Sequence, residues 1–454
     1  MLSVGAVRSK NVKNMLLYIL LDATVGAVGW YLLGYGFAYG DRTRPDGSYN
    51  GNGFIGNKYF SMKRLPYAEG DVRQYGIGGF GHWFFQYTFA ATASTIVSGC
   101  VVERAKLSAY IVYSFFLTAF VYPVVAHWEW SYTGWLSASR KSGSVLFGSG
   151  IVDFAGCGAV HMVGGFTGLV GAYLVGPRIG RYAADGSVVP IPGHNVPYAA
   201  LGTLILWFGW YGFNCGSAGG IIGMSDIVGR VAVSTTLGGA AGGIACLAYA
   251  VLVEGCWDVI ACLNGTLCGL VSITSGCAFF EPWAAIVAGG VGGFIFPVIS
   301  KFLTTKMRID DPLEAGAMHA GCGMWGLLAT GLLAQTHAIN EYYGILPAYA
   351  GQSNHARPGG GFYGHGQLLA AQIVGIVTIA GWVVSTMFCC FWLLKRFNLL
   401  RVEAEAEEQG MDVSYHGGTA YPGHMDGSTQ SGGNFFNDSG ILKPATEIAE
   451  LATV

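Results

Sequence analysis

The chain has 454 residues, of which 52% are hydrophobic and only 11% charged, and its mean hydropathy is +0.46. Soluble domains carry about 25% charged residues, so this composition excludes an ordinary soluble protein and indicates that lipid is the main solvent. The formal net charge is −2 with a pI near 6.5, and the basic stripe that nucleic-acid binding requires is missing from the sequence, so we expect no nucleic-acid partner.

Long apolar windows follow one another along the chain, and a helix that crosses the hydrocarbon needs about 20 such residues. They run over 14–40, 79–101, 107–128, 151–175, 196–215, 227–253, 257–278, 281–303, 312–335 and 366–394. A β-barrel would instead show alternating segments of about 10 residues. The sequence therefore predicts an all-α polytopic membrane protein, a helical bundle of about ten transmembrane helices embedded in the lipid bilayer.

Basic residues in the short loops predict the orientation of the bundle. Most lie on one predicted side: Arg8, Lys10, Lys13, Arg104, Lys106, Arg178, Arg181, Lys301, Lys306, Arg308, Lys395 and Arg396. Because basic short loops face the cytosol, both termini are predicted to be cytosolic. This divides the chain into an N-terminal cytosolic segment (1–13), a transmembrane domain (14–395) and a cytosolic tail (396–454), whose far part has the composition of a disordered segment.

An internal repeat appears among the ionisable residues of the apolar windows. DFAGCGAVH places Asp153 eight residues before His161, and DPLEAGAMH places Asp311 eight residues before His319. The predicted topology makes the two helices antiparallel, which is an inverted repeat. An ionisable side chain in the membrane costs about 2.5 kcal/mol or more. The shared spacing favours histidines that meet at the midplane over two separate histidines, each bonded to a carbonyl.

The two aspartates stand at predicted helix starts, where a carboxylate accepts backbone N–H bonds. Capping is our preferred interpretation of Asp311. For Asp153, near the predicted outer mouth, capping and the attraction of an arriving cation are equally favoured. Zinc needs three or four ligands, and neither histidine helix offers a second His or Cys on the same face, so we predict no metal site and no other cofactor.

Aromatic residues cluster at the predicted outer ends of the helices. Phe85 and Phe89 are four apart on one helical face, Trp130 lies in HWEW, and Phe213 lies in WFGWYGFNCGS. Most aromatics at such depths fill the core or the interface belt. The alternative is a cation-π site, worth about 0.5 to 2 kcal/mol, with Ser217 as a hydroxyl acceptor. Ammonium, with four N–H donors, fits both kinds of contact.

These segments together resemble the ammonium transporters of the Amt/Mep/Rh superfamily, most closely the plant and algal type. The resemblance covers residues 1 to about 425. It rests on VRSKN (7–11), FAATASTIVSG and ERAK (89–106), AYIVYSFFLTAFVYPVVAHWEW (109–130), DFAGCGAVHMVGG (153–165), GPRIGR (176–181), WFGWYGFN (207–214), EPWAAIV (281–287), DDPLEAGAMHAGCGMWG (310–326) and GMDVSYHGG (410–418).

The resemblance implies a site in the outer half of the bundle. Phe85, Trp130 and Ser217 would form the ammonium recruitment site, and stacked Phe89 and Phe213 would gate the pore below it. It implies transport rather than catalysis, with methylammonium as an analogue substrate.

The resemblance also implies functions for residues of the internal repeat. His161 and His319 would line the conduction path, and Asp153 would support the recruitment site without touching substrate. NH4+ would lose its proton near the gate, and NH3 would pass the histidines, with net charge movement as in plant-type relatives. Members form homotrimers with one pore per subunit, and we expect the plasma membrane as the location.

Three features depart from the family pattern or add to it. Ser414 in GMDVS stands where the family has a phosphorylatable threonine, so a kinase acting on the tail is an expected partner. Cys157 replaces Gly or Ser and Cys215 replaces Pro or Ala; all are small residues. Members have eleven spans, whereas Met1–Ser9 matches only the last turns of the first one, so an inactive truncated form is an alternative.

Three further alternatives stay open. An ammonium sensor would signal through its tail, but the tail shows no recognisable output domain. An Rh-like gas channel conducting NH3 or CO2 is less favoured, because Trp130 and the GMDVS tail match the Amt side. A membrane enzyme using the histidines with a metal or haem would need a nucleophile or a ligand set, which the sequence does not offer.

Overall fold

The computed structural model describes residues 1–43, 49–63, 65, 79–140, 144–345 and 356–421. Its helices are α1 (Leu2–Ala6), α2 (Ser9–Tyr39), α3 (Gly79–Val101), α4 (Leu107–Trp130), α5 (Cys157–Val175), α6 (Val196–Gly216), α7 (Ser225–Glu254), α8 (Val259–Ile273), α9 (Pro282–Thr305), α10 (Ala317–Leu333), α11 (Thr336–Ile345), α12 (Gln367–Arg396), α13 (Ala404–Gln409) and α14 (Met411–Tyr415). Strands β1 (Arg42–Thr43) and β2 (Tyr49–Asn50) pair antiparallel. Short 3-10 turns cover Phe60–Met62, Leu146–Gly148 and Gly361–Tyr363.

Each predicted apolar window contains one of these helices, and the all-α membrane bundle is confirmed. Within the described residues, six helices are both long and apolar enough to cross a membrane. The number is seven if Ala317–Leu333 and Thr336–Tyr343, bent by 101°, form one span. Helices α3 and α6 are long enough but have a lower mean hydropathy, and α8 has only 15 residues. The number of ten spans stays a prediction.

Glycine sets the packing distance of α7, α8 and α9. A Cβ added to Gly242 of α7 would lie 2.6 Å from the Cα of Gly269 on α8, and one on Gly289 of α9 would lie 2.6 Å from the Cα of Gly238. Such positions admit no side chain, so the three backbones touch directly. Close approach of this kind replaces the hydrophobic effect, which does not drive helices together inside lipid.

Helices α5 and α10 share an unusual beginning. Both open with a π-helical turn, Cys157–Met162 in one and Ala317–Gly321 in the other, and each turn contains the histidine of its repeat. π-helical turns are rare and occur frequently at functional sites. The inverted repeat therefore extends from sequence spacing to backbone geometry.

An ion-pair network joins the short loops at one face of the bundle. The Arg178 guanidinium donates two hydrogen bonds to Asp310, at 2.8 and 3.0 Å, and a third to Glu103 at 3.0 Å. Arg8 donates to the same Glu103 carboxylate at 2.9 Å. Burial alone would raise the pKa of Asp310, but the hydrogen bonds and charge of Arg178 outweigh it and lower the pKa to about 2. The network therefore stays ionised at physiological pH.

The tail packs against the N-terminal segment at this same face. The Asp412 carboxylate in α14 accepts the backbone N–H groups of Lys13 and Asn14 at 2.9 and 3.0 Å, and so caps α2. The Asn11 side-chain oxygen also accepts a hydrogen bond from the backbone N–H of Met411, at 3.0 Å. Both ends of the described chain thus lie on one face; its assignment to the cytosol stays a prediction. The far tail, 422–454, lies outside the described residues.

The glycine contacts generate a matched test within one helix. We expect Gly242→Ala to lower the free energy of unfolding by about 1 to 3 kcal/mol, because the added methyl meets the α8 backbone. Gly229 lies on the same helix, is exposed, and has nothing within 4 Å of an added Cβ. Gly229→Ala should leave the thermal midpoint of the purified protein unchanged or raise it slightly, since alanine favours helix. Equal midpoints for the two variants would contradict the packing argument.

Candidate functional site

The repeated aspartates hold the first turns of the two histidine helices. Asp153 accepts hydrogen bonds from four backbone N–H groups, those of residues 156–159, at 2.8 to 3.2 Å. Asp311 accepts three, from residues 315–317, at 2.7 to 3.4 Å. Each carboxylate therefore satisfies N–H groups that would otherwise be unpaired in a buried helix start. Asp311 has the contacts of a cap, and Asp153 combines the same contacts with a place at a pocket.

The two histidines touch at the centre of the bundle. Their Nδ1 atoms are 3.1 Å apart, and the rings are nearly parallel at 18°, with centroids separated by 5.1 Å. A neutral imidazole has one donor and one acceptor nitrogen, so one ring donates its Nδ1–H to the Nδ1 of the other. The Nε2 of His161 is buried and has no hydrogen-bond partner among the described residues. It is available to a passing polar molecule.

A column of aromatic rings leads to this pair. Phe89 and Phe213 stack with centroids 4.2 Å apart and an interplanar angle of 22°. Phe213 lies 5.8 Å from the ring of His161 in a similar orientation. Phe89 is only 1% exposed. The two phenyl rings are therefore in contact with each other immediately next to the histidines.

A small pocket of about 130 Å³ lies on the other side of the phenylalanine pair. Phe85, Trp130, Ser217 and Asp153 all line it. The indole Nε1–H of Trp130 donates to the carbonyl oxygen of Asp153 at 2.7 Å, which fixes the ring. The Ser217 hydroxyl donates to the carbonyl of Phe213 at 2.9 Å, which leaves its oxygen lone pairs free to accept. The structure thus brings together all four residues expected at the recruitment site.

A larger cavity of about 890 Å³ begins at the two histidines and extends away from the phenylalanine pair. It is lined mainly by apolar residues of α1, α2, α3, α6 and α8 and reaches Arg178 and Arg181 at the ion-paired face. The small pocket and the large cavity thus lie at opposite ends of the column of rings. Among the described residues, the stacked phenyl groups and the imidazoles lie between them.

Two side chains at this site were not predicted from the sequence. Trp210 stacks on His161 with centroids 5.4 Å apart and donates its Nε1–H to Thr274 at 3.0 Å. It is one of 12 tryptophans, and nothing in the sequence marks it out. Glu129 is 3% exposed and lines the small pocket. An acidic residue inside HWEW, at the edge of an apolar window, was a signal, because charges there are expensive.

Ser414 and Cys157, which the sequence also singled out, do not line the small pocket. Ser414 in α14 is partly exposed, and its hydroxyl donates to the Gly410 carbonyl at 3.0 Å and the Gln409 amide oxygen at 3.1 Å. Cys157 is fully buried and donates to the Val271 carbonyl at 3.0 Å. Among the described residues, no three His, Cys, Asp or Glu side chains are grouped to hold a metal ion.

Comparison with known proteins identifies the family of the chain. Residues 1–421 match the model of the Ammonium Transporter Family. The chain belongs to the ammonium transporter family. It is 45% identical over 435 residues to ammonium transporter 1 member 1 of Oryza sativa, covering 93% of this chain and 82% of the relative. It is also 45% identical over 460 residues to ammonium transporter 1 member 2 of Arabidopsis thaliana, covering 98% and 84%.

Solved structures of the family share the fold. A protein described as Sensor Amt Protein superposes with a TM-score of 0.77 at 29% identity, covering 91% of this chain and 92% of its own. Saccharomyces cerevisiae Mep2 gives a TM-score of 0.73 at 28% identity, covering 86% and 80%. The chain is therefore an integral membrane protein of a transporter family, which is not an enzyme family.

Proposed function

We propose that this chain transports ammonium across a membrane by binding NH4+ at the small pocket, deprotonating it and conducting NH3 past His161 and His319. The observation that carries the proposal is the contact between the two imidazoles behind a stacked pair of phenyl rings, with the His161 Nε2 left unpaired. Similarity to plant ammonium transporters supports the substrate.

The small pocket suits a small cation with several N–H donors. The aromatic faces of Phe85 and Trp130 attract a cation, and the Ser217 oxygen accepts a hydrogen bond. Asp153 adds a negative charge nearby, and its carbonyl holds the Trp130 indole in place. Recruitment of NH4+ by these residues follows from their shared position at one pocket.

The stacked rings of Phe89 and Phe213 favour the passage of a neutral molecule. Phe89 and Phe213 are in van der Waals contact, so a hydrated ion cannot pass without a large movement. A bare cation is costly in an apolar passage. Ammonium can lose a proton and enter as NH3, whereas K⁺ cannot, and we propose that the pore selects on this difference. The released proton crosses as well, so that transport moves net charge, as plant-type relatives suggest.

The histidine pair would replace the hydration of NH3. Ammonia donates three hydrogen bonds and accepts one, and a pair of neutral imidazoles offers both a donor and an acceptor along the path. The Nδ1–Nδ1 contact fixes the two rings in opposite tautomers, so that their Nε2 atoms differ: one donates and one accepts. Beyond His319 the large cavity leads to the ion-paired face.

Regulation, assembly and location complete the proposal. The chain works as a homotrimer in the plasma membrane, with both termini cytosolic and one pore in each subunit. Phosphorylation of Ser414 by a kinase closes the pore through the tail. The second candidate function is an ammonium sensor, and the observation favouring it is the likeness to the protein described as Sensor Amt Protein.

Replacing His161 tests the histidine path. We expect His161→Ala to lower the maximal rate of methylammonium uptake by about tenfold or more, a barrier increase of about 1.4 kcal/mol or more, because the passenger loses its hydrogen-bond partner. Uptake would be measured in yeast lacking its own ammonium transporters. His337 is exposed on α11, away from the cavity, so His337→Ala is the control and should retain uptake. An undiminished rate in His161→Ala would refute the path.

Charge at Ser414 tests the proposed regulation. Its hydroxyl faces two acceptors, the Gly410 carbonyl and the Gln409 amide oxygen, and Asp412 lies two residues away. A phosphate would replace the donating hydroxyl at these two acceptors and add negative charge near Asp412, so we expect it to displace α14 from the start of α2. We expect Ser414→Asp to lose most methylammonium uptake at unchanged surface abundance and Ser414→Ala to retain it. Equal uptake by the two variants would argue against the switch.

A further inference from the structure

Glu129 is buried with little to stabilise a charge: among the described residues, the donor near it is the N–H of Ala159, which already donates to Asp153. It lies one residue before Trp130 at the end of α4, and neither of its carboxylate oxygens has a hydrogen-bond partner among the described residues. Burial of an ionised carboxylate without donors is strongly unfavourable, and such a group takes up a proton instead. Neither the recruitment site nor the histidine path uses this side chain.

The Asp153 carboxylate lies beside Glu129 but, unlike Glu129, accepts several hydrogen bonds. A Cβ placed on Gly158 would be 2.7 Å from Glu129 Oε1 and 3.2 Å from Asp153 Oδ2, so both carboxyl groups face the point that only glycine leaves open. The two carboxyl groups are therefore close neighbours. Asp153 accepts four backbone N–H bonds, whereas among the described residues Glu129 has near it only the N–H of Ala159, which already donates to Asp153. Hydrogen bonds to the ionised form decide which of two adjacent carboxyls keeps the charge.

We propose that Glu129 is a protonated carboxylic acid that donates its O–H to Asp153, so that the two side chains hold one proton and one negative charge at the outer end of the path. Adjacent carboxyl groups share a proton in this way because two charges at hydrogen-bonding distance repel strongly. Among the described residues, the other ionisable groups that face the pair or line its pocket are Tyr39, Tyr122, Tyr132, Cys157, Tyr342, Tyr343 and His82.

The consequence for transport rests on the proposed function. Loss of the Glu129 proton places a second negative charge at the small pocket, which holds a cation more tightly. Protons leave as external pH rises, so the affinity of the wild type for a cationic substrate rises across the interval in which Glu129 ionises. Glu129→Gln has no proton to lose, and its affinity stays at the acidic value of the wild type.

Infrared difference spectroscopy of the purified full chain tests the proton directly. At neutral pH, wild type minus Glu129→Gln should show the C=O stretch of a carboxylic acid, and deuterium exchange should shift this band. Glu281→Gln is the matched control, because the Glu281 carboxylate accepts hydrogen bonds from Trp283, Gln335 and Tyr363 at 2.6 to 3.4 Å. Its difference spectrum should contain carboxylate bands only.

A Glu129→Gln difference spectrum that contains carboxylate bands but no carboxylic acid band would overturn the proposal. Glu129→Ala supplies the same comparison if the glutamine variant cannot be purified. A methylammonium KM that changes with pH equally in wild type and Glu129→Gln, across the interval in which the acid band disappears, would also overturn it. Acid bands in a protein that shows no uptake would leave the shared proton standing and reject the transport function alone.

Discussion

The contact between His161 and His319 is the interaction on which the arrangement of this molecule depends. Two imidazoles can meet at 3.1 Å only if they are not both protonated and each helix delivers its ring to the same depth, and the cost of a charge inside lipid favours two neutral rings. The repeated aspartates make the second condition possible, since each fixes the opening turn of its helix through three or four backbone N–H bonds. The π-helical turns then present the rings to one another.

Buried carboxylates are stabilised in different ways at the two ends of the path. At the ion-paired face, Arg178 neutralises Asp310 and Glu103 and keeps them ionised, which holds the loops and the tail segment together. At the small pocket, no such cation is paired with Asp153 in the part of the chain that the structure describes, and four backbone N–H groups stabilise its charge together with the acid that we propose at Glu129. An unneutralised anion next to aromatic faces attracts a cation, while the buried salt bridges at the other face organise structure.

Sequence reasoning was most successful where spacing carries physical meaning. Apolar length predicted the helices, and the equal Asp-to-His offset predicted that His161 and His319 converge, because rise per residue is fixed in a helix. It failed for side chains whose role depends on neighbours from other helices. Asp22 lies in the window 14–40, yet it is buried against the hydroxyls of Ser94 and Tyr110, a partnership that no local pattern reveals. Trp210 was missed for the same reason, whereas Glu129 had a local signal, its acidic side chain in HWEW at the edge of an apolar window.

Transport of ammonium itself is the central claim, and flux into liposomes containing the purified chain tests it most directly. The account predicts saturable uptake of radiolabelled methylammonium that ammonium inhibits by competition and that K⁺ in equal excess leaves unchanged, because only a deprotonatable ion can pass the stacked phenyl rings as a neutral molecule. Uptake no faster than in protein-free liposomes, or inhibition by K⁺ as strong as that by ammonium, would contradict it.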